Sequence, residues 1–538
     1  MNHLNIPQDR AELGWVARLR SRLRPRFVSD LVRASKRLAA VAAFRVNPGK
    51  QAAPVKGWRG IGVMAMAGGM LCGCGGNDGG VSPAVASGLP SSTATVTSAP
   101  AGQPFGAAVI DLSARGYTEQ EYFVSGTANR YRMGDPVGQH YAIPPTDAQV
   151  VDGGHAYTTR ILVRRPTDPQ KFNGTVIVEW MNVTLNQDAE FFFAAAREYL
   201  LSQGYAWVGV SAQIAGTNTL KTVDPTRYAT ISLAASNDDP LGGALDPRGD
   251  VLAWDAFAQV GAVLRKPAAV DPLAGLAAQR IFAVGQSQSA FRLTAYLNSI
   301  NPLYPKVFDG FIAYDRMGEL RTDLTAKVMS VASEITAPPL AQRTPDIDSV
   351  HVWEMAGASH NSYAEISSYI DPLMLRNGLL HNAAGVAVSL TDYIPDCGQQ
   401  PIWSRVPNGD VLSAAIDSLQ RWTADGVVPA KSIRIGADET GAFYRDSDNR
   451  VSGGVRLAAY DAPMSTSVGV NTGGGFCFLT GSHVDLTPAQ MCARYGSMEN
   501  YVAKVVEVTR KAEDDGYLLD VDANRTIEEA KAISFTCP

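Results

Sequence analysis

Charge is scarce in this sequence, and no long apolar run crosses its main body. Only 18% of the 538 residues are charged, and no block of Lys or Arg occurs beyond the N-terminal region, so nucleic acid is not expected as a partner. No apolar run outside the N-terminus approaches the roughly 20 residues that span a bilayer, which excludes a multi-span membrane protein. Hydrophobic residues make up 46% of the chain, a fraction typical of a folded globular protein.

Cysteine is also rare, with six in the chain. Two lie in the N-terminal region, and the other four, all in the C-terminal third, are Cys397, Cys477, Cys492 and Cys537. They show no CxxC or Cys/His spacing of a zinc site, and no phosphate-binding Gly-rich loop is evident, so neither a metal nor another cofactor is expected. An even set of four predicts two disulfides in an oxidising compartment, with Cys477–Cys492 favoured because it closes the shortest loop.

The first 73 residues differ in charge from the rest of the chain. They contain thirteen Lys or Arg and three acidic residues, a net charge of +10, whereas everything from Cys74 onward carries −15. A basic segment, a short apolar stretch and small residues before Cys74 resemble a bacterial lipoprotein signal. We therefore predict a leader and signal over residues 1–73, lipidation at Cys74, and a flexible Gly/Ser/Thr/Pro-rich tether over 74–103. The protein would lie in the cell envelope or be secreted, contacting a membrane only through its lipid.

Strand and helix patterns alternate through the main body. Strands are predicted at 160–164, 175–180, 205–210, 280–285, 308–314, 327–333 and 350–356, and helices near 190–201, 251–264, 290–297 and 410–424. The strand patterns are too apolar for a sheet with one wet face, so they predict a mostly parallel central sheet with helices on both faces. We predict one α/β domain over 104–538, with an insertion near 216–250 and a C-terminal extension or lid from about 365.

Residues 285–289 read Gly-Gln-Ser-Gln-Ser and lie between a predicted strand and a predicted helix. This context is typical of a nucleophile elbow, in which a sharp turn strains the backbone of a serine and projects its Oγ above the sheet. The positions two before and two after the serine must be small, as Gly285 and Ser289 are for Ser287. Were Ser289 the nucleophile, Phe291 would occupy a crowded position. Ser287 is the predicted nucleophile, and a helix-capping serine is the alternative.

An acid and a histidine follow the elbow in the chain order of such sites, which is Ser, acid, His. The second predicted strand after the elbow helix runs into Glu334, and the next one runs into His360. Because parallel strands end at one edge of the sheet, both are expected beside Ser287. His360 would take the Ser287 proton as it attacks a carbonyl, and Glu334 would orient the imidazole. Asp346 and Asp348 in the same loop are alternative acids.

A triad of this kind also needs two hydrogen-bond donors for the negative oxygen that develops in the reaction. The backbone N–H of Gln288, directly after the nucleophile, is predicted as one donor. The second is expected from the loop that follows the strand 175–180, at Met181 and Asn182.

Four stretches resemble the α/β-hydrolase superfamily and, more narrowly, a bacterial family of "alpha/beta hydrolase domain" proteins. They are Val176-Ile-Val-Glu-Trp-Met-Asn-Val183, Gly285-Gln-Ser-Gln-Ser-Ala290, Phe308-Asp-Gly-Phe311 and Trp353-Glu-Met-Ala-Gly-Ala-Ser-His360, and the likeness spans about residues 105 to 537. The resemblance implies an α/β-hydrolase fold and hydrolysis of a small carboxylic ester, with Ser287 as nucleophile and His360 as base. The family's acid region reads Ser-Glu-x-Asp, of which this sequence keeps Glu334 and lacks the Asp.

Two other functions remain open at this point. The same fold and triad can transfer an acyl group to an alcohol or an amine instead of water. A non-catalytic lipoprotein that binds at the cell envelope is the second alternative, and a complete triad in the right order argues against it.

Overall fold

The chain folds around a nine-stranded sheet. This computed structural model describes residues 94–133, 147–235, 249–304, 307–316, 318–337, 347–394 and 396–537. In chain order the strands are β1 (Thr95–Ser98), β2 (Tyr117–Arg132), β3 (Gln149–Pro166), β4 (Thr175–Trp180), β5 (Ala206–Val210), β6 (Arg280–Gln286), β7 (Gly310–Tyr314), β8 (Lys327–Ala332) and β9 (Val350–Glu354). Their order across the sheet is β1-β2-β3-β5-β4-β6-β7-β8-β9.

The sheet has an antiparallel part and a longer parallel part. Strands β1, β2 and β3 pair antiparallel, and β3 joins β5 in the same sense. From β5 through β4 to β9, every neighbouring pair is parallel. The predicted mostly parallel α/β fold is therefore confirmed. The end of the predicted tether is corrected, because Thr95–Ser98 forms an edge strand paired with β2.

Helices flank the sheet and continue beyond its last strand. They are α1 (Phe191–Ser202), α2 (Ile214–Val223), α3 (Ala253–Arg265), α4 (Gln288–Ala295), α5 (Tyr363–Glu365), α6 (Asp371–Asn377), α7 (Leu390–Tyr393), α8 (Asn408–Asp425), α9 (Ala458–Asp461), α10 (Cys477–Thr480), α11 (Pro488–Tyr495), α12 (Met498–Asp514) and α13 (Asp520–Ala532). Single π-helical turns, Tyr296–Ile300 and Ile366–Ile370, adjoin α4 and α6. Among the described residues, none of the helices is both long and apolar enough to cross a membrane.

Both faces of the sheet are buried, as its apolar strands require. Along β4, Ile177 packs into one apolar cluster with residues of α1 and α8, whereas Val176 and Val178 pack into the opposite cluster with residues of α3. This alternation follows from the two-residue repeat of a strand. The parallel strands therefore lie in a fixed register, and the loops after β4, β6, β7, β8 and β9 leave the same edge of the sheet.

The chain after α8 forms an extension fastened by two disulfides. Two short strands, β10 (Ser465–Val468) and β11 (Ser482–Asp485), pair antiparallel, and α11, α12 and α13 pack around a separate apolar cluster. Cys397 pairs with Cys477, and Cys492 pairs with Cys537, with Cα–Cα distances of 5.4 and 5.3 Å. Two disulfides among these four cysteines were predicted, but the pairing Cys477–Cys492 is wrong. Loop length favoured it, whereas the fold brings Cys492 on α11 to the C-terminal segment instead.

Candidate active site

Ser287 lies at the turn between β6 and α4, with φ 58° and ψ −121°. A non-glycine residue at positive φ is strained, and the turn here is closely packed. A Cβ on Gly285 would lie 2.8 Å from the backbone carbon and oxygen of Ser289, so glycine is required there. The Ser289 hydroxyl bonds back to the N–H and the carbonyl of Gln286, which closes the turn.

His360 lies in the loop after β9, with its ring nearly buried. Its backbone N–H donates to the Leu479 carbonyl, and the Tyr314 hydroxyl donates to its carbonyl at 3.3 Å. Burial raises the pKa of Tyr314 well above its usual range, which keeps that hydroxyl protonated as a donor. Asn408, at the start of α8, binds both the Tyr314 hydroxyl and the Ser359 carbonyl at 2.8 Å. The loop that carries the histidine is thus held from three sides.

The acid beside the histidine is Asp315, directly after β7. Its Oδ2 lies 2.8 Å from Nδ1 of His360. The Nδ1–H bond does not point directly at this oxygen, so the two groups are in close contact without forming a well-aligned hydrogen bond. A carboxylate at this nitrogen favours the tautomer with its proton on Nδ1, which leaves Nε2 as the acceptor.

Asp315 is itself held by the next loop. Its Oδ1 accepts from the backbone N–H of Ser333 and from the hydroxyl of Thr336, both at 2.5 Å. The residue has a φ of 56° and is 1% exposed. Because aspartate tolerates the left-handed region better than most residues, the strand can end in this turn and present its carboxylate to His360.

The predicted acid, Glu334, does not contact His360, and this prediction is corrected. One carboxylate oxygen binds the Arg445 guanidinium from the extension, and the other accepts from the N–H of Gly357 at 3.2 Å. Both partners draw the side chain away from the imidazole. Glu334 therefore ties the histidine loop to the extension. Of the alternative acids, Asp348 is exposed just before β9, at the opposite end of that strand from His360, and Asp346 lies outside the described residues.

The two backbone donors predicted in the loop after β4 are already engaged. The N–H of Met181 donates to Val210, and that of Asn182 donates to the Ala189 carbonyl at 2.9 Å. The Asn182 side chain instead lies in the site, where its Nδ2 donates to the Gln286 carbonyl at 3.1 Å. An amide nitrogen carries two hydrogens, so the second one is available as a hydrogen-bond donor. The N–H of Gln288, the first residue of α4, has no partner in the described part of the structure.

Gln286 makes a contact that the sequence did not suggest. Its side-chain nitrogen lies 3.2 Å from Nε2 of His360, and the residue is 1% exposed. With the imidazole proton on Nδ1, the Gln286 amide donates and Nε2 accepts. Within the described residues, the Ser287 hydroxyl makes no hydrogen bond.

A cavity opens in front of Ser287. Its empty volume is about 430 Å³, which includes space open to solvent at its mouth. The described residues that line it are Asn182, Thr184, Leu185, Phe191, Gln286, Ser287, His360, Asn361, Leu390, Ile394, Trp403, Phe476 and Leu479. Most of the side chains that line it are apolar, as is usual in sites that bind small molecules.

A further carboxylic acid is buried behind the site. Glu365 accepts from the Asn361 amide and from the N–H and the hydroxyl of Ser362. Ser362 is the N-cap residue of α5, and the two residues form a capping box. Burial raises the pKa of Glu365 to about 7, although these hydrogen bonds lower it, and the nearby charge of Asp315 raises it further.

Described residues include no cluster of three or more His, Cys, Asp or Glu arranged for a metal. The predicted lipidation site, Cys74, lies outside the described residues.

Two site residues were missed from the sequence. Asp315 directly follows the predicted strand 308–314, so it carried the same signal as Glu334, an acid at a strand end between the elbow and His360. Gln286 carried no signal, because its contact depends on where the histidine loop returns.

A comparison with known protein families agrees with this architecture. A family profile described as "Alpha/beta hydrolase domain" matches residues 88–528. The chain belongs to the alpha/beta hydrolase domain family. This alpha/beta hydrolase has no match among curated proteins.

Several solved structures resemble this alpha/beta hydrolase at low identity. A putative dienelactone hydrolase from Klebsiella pneumoniae is 11% identical, with 43% of this chain and 85% of that chain covered and a TM-score of 0.23. A rice cell wall degrading esterase from Xanthomonas oryzae is 13% identical, with 42% of this chain and 49% of that chain covered and a TM-score of 0.23. A serine hydrolase without lid from Xanthomonas campestris is 13% identical, with 50% and 96% covered and a TM-score of 0.24.

Proposed function

We propose that this alpha/beta hydrolase is a serine esterase that cleaves carboxylic esters through an acyl-enzyme. The observation that carries the proposal is Ser287 on a strained strand-to-helix turn, in a cavity that also exposes His360, whose other ring nitrogen contacts Asp315. A serine hydroxyl is a weak nucleophile unless a base takes its proton, and a buried carboxylate stabilises the imidazolium that results.

The reaction has two halves. Ser287 Oγ bonds to the ester carbonyl carbon while Nε2 of His360 takes the hydroxyl proton. The tetrahedral intermediate then expels the alcohol, which receives that proton from the imidazolium. In the second half, water gives a proton to His360 as its oxygen bonds to the acyl carbon. The bond between that carbon and Ser287 Oγ then breaks, Oγ takes the proton back from the imidazolium, and the carboxylic acid leaves. Asp315 supports the charged imidazole in both halves.

The negative oxygen of the intermediate needs two donors. We assign the first to the backbone N–H of Gln288, the residue directly after Ser287. For the second we propose the side-chain amide of Asn182, because its backbone N–H and that of Met181 are bound elsewhere. Asn182→Ala should lower kcat about 100- to 1,000-fold and change KM much less, since this bond strengthens in the transition state.

A fluorophosphonate probe tests the function directly. Such a probe bonds covalently to an activated serine, and peptide mapping should find it on Ser287 in the intact chain. Ser287→Ala should abolish both labelling and hydrolysis of p-nitrophenyl butyrate while keeping the thermal unfolding midpoint. Absence of labelling on folded protein, or labelling that persists in His360→Ala, would overturn the proposal.

Two disulfides indicate an extracellular or cell-envelope protein. We propose further that Cys74 bears a lipid, on the evidence of the signal-like sequence before it. Labelled palmitate should enter the protein in bacterial cells, and Cys74→Ser should prevent this and release the protein from membranes.

A further inference from the structure

The walls of the cavity suggest what kind of ester fits. One wall comes from the loop after β4 and the start of α1, with Leu185 and Phe191. A second wall comes from the segments around the Cys397–Cys477 disulfide and carries the larger apolar set, Leu390, Ile394, Trp403, Phe476 and Leu479. The Trp403 indole N–H is turned away to the Thr391 hydroxyl at 3.0 Å, so the ring contributes apolar surface to the cavity.

Charge is missing from these walls. Among the described lining residues, His360 is the one that can titrate, and it belongs to the proposed triad. Polar groups other than those of the elbow are confined to Asn182, Thr184 and Asn361, which are uncharged. The nearby cation Arg160 is fully buried behind Met181 and paired with Asp188 at 2.9 Å. An acyl group with a terminal carboxylate would therefore be buried against apolar side chains without a partner.

We propose that the substrates of this site are esters of uncharged, apolar carboxylic acids. This inference rests on the proposed esterase function and adds the class of acyl group. Burying an unpaired charge costs several kcal/mol, whereas burying a methyl group in its place is favourable. Discrimination against an anionic acyl group should thus be large even between chains of equal length.

Two matched substrates test this. p-Nitrophenyl butyrate and p-nitrophenyl hemisuccinate share a leaving group and a four-carbon acyl chain, and they differ in the terminal carboxylate. We expect kcat/KM to favour the butyrate by about 100-fold or more, from the cost of the buried charge. Equal rates, or a preference for the hemisuccinate, on protein that labels at Ser287 would overturn the substrate class and leave the esterase function standing. If the folded protein does not label at Ser287, the proposed esterase function itself is overturned.

A charge introduced into the wall sharpens the test. Phe476 is partly exposed, so a long cation can be accommodated there. Phe476→Arg should reduce the preference for butyrate at least about tenfold, because the guanidinium pairs with the acyl carboxylate. Phe476→Met is the matched control of similar bulk and should keep the preference. If both variants change the ratio alike, the wall acts through size and the charge argument fails.

A separate observation, the contact between Gln286 and His360, carries a second inference. Nδ1 of His360 faces Asp315, so the amide of Gln286 donates to the nitrogen that must take the serine proton. We infer that Gln286 is a positioning residue that keeps the resting imidazole neutral and in place, until Ser287 replaces it when an ester binds. A hydrogen bond to the neutral form of a base disfavours its protonation.

The pH profile of kcat/KM measures this role. The charged group that faces His360 is Asp315, with Glu365 behind it, and both stay unchanged in the variants. Gln286→Ala should move the acidic limb of the profile up by about 0.5 to 1 pH unit, the equivalent of one hydrogen bond. Gln286→Glu should move it further, since a carboxylate stabilises the imidazolium.

Gln288→Ala is the control for this series. Its amide is equally buried, but it binds Gln213 at 2.9 Å and the Val183 N–H, not the histidine. It should leave the acidic limb where it is, whatever it does to the rate. The inference is overturned if the acidic limb of the pH profile does not move in Gln286→Ala. That result counts only when the variant keeps the thermal unfolding midpoint of the unsubstituted protein and still labels at Ser287.

Discussion

The loops after β7 and β8 each contain a buried carboxylate, yet only one of them contacts the histidine. Asp315 and Glu334 follow neighbouring parallel strands, and each is 1% exposed. Asp315 receives two donors from the neighbouring loop, which point it at His360, whereas Glu334 is bound by Arg445 from the extension and by Gly357. A strand end brings an acid to the site, and its other partners decide which way it faces.

The largest effect should come from Asp315→Asn. The amide cannot stabilise an imidazolium and favours the wrong tautomer, so kcat should fall on the order of 10,000-fold with little change in stability. Glu334→Gln should lower kcat less than about tenfold, since Glu334 acts on the loop and not on the base. Steady-state kinetics on both variants checks the comparison, and a larger loss in Glu334→Gln would reverse it.

Glu365, the third buried carboxylic acid, should set part of the pH dependence of stability. Its pKa is raised from 4.5 to about 7 in the folded chain, so the folded state holds the proton more tightly. Stability from this residue is therefore fully present below pH about 4.5 and is lost as the pH rises toward 7, by about 3 kcal/mol. Glu365→Gln should flatten that decline in urea unfolding measured from pH 4.5 to 7. An unchanged slope would show that Glu365 is ionised in the folded protein.

Breaking the Glu334–Arg445 pair should affect the free energy of unfolding more than it affects kcat. The Arg445 side chain is 28% exposed and can be hydrated when its partner is removed, so the loss lies below that of a fully buried pair. Glu334→Ala should lower the free energy of unfolding by about 2 kcal/mol. In a double-mutant cycle with Arg445→Ala, the second substitution should add little. Additive losses would mean that the two side chains act independently.

The smallest effect should follow from Thr336→Val, a change of shape-matched side chains. It removes one of the two donors on Asp315 and leaves the Ser333 N–H in place. We expect a fall in kcat of about tenfold or less, with KM unchanged, because one neutral donor contributes about 1 kcal/mol to the orientation of the carboxylate. Ser367→Ala is the control, because Ser367 is exposed and its hydroxyl donates to the Tyr363 carbonyl. This variant should behave as wild type.

Much of the fold was predictable because parallel strands carry their own signal. Thr175–Trp180 was predicted with the bounds that β4 has, and the helix at 410–424 lies within α8. The long hairpin of β2 and β3 was largely missed, since its charged and polar residues obscure the apolar pattern.

The site was less predictable than the fold. Chain order and strand ends bring Ser287 and His360 to one cavity, but they do not distinguish Asp315 from Glu334. The difference lies in Arg445, which is distant along the chain and has no pattern that points to Glu334. The N–H groups of Met181 and Asn182 illustrate the same limit, because the residues that bind them come from other loops.

The Cys397–Cys477 bond has a consequence for how the protein must be made. Cys477 adjoins Phe476, and Cys397 lies three residues after Ile394, so the bond joins the two segments of the larger apolar wall. In a reducing cytosol this bond does not form, so the two segments of the wall are not fastened to each other. Recombinant material from such a host should react with a serine probe and yet choose poorly among acyl chains. The wall is therefore fastened only where the protein matures in an oxidising compartment.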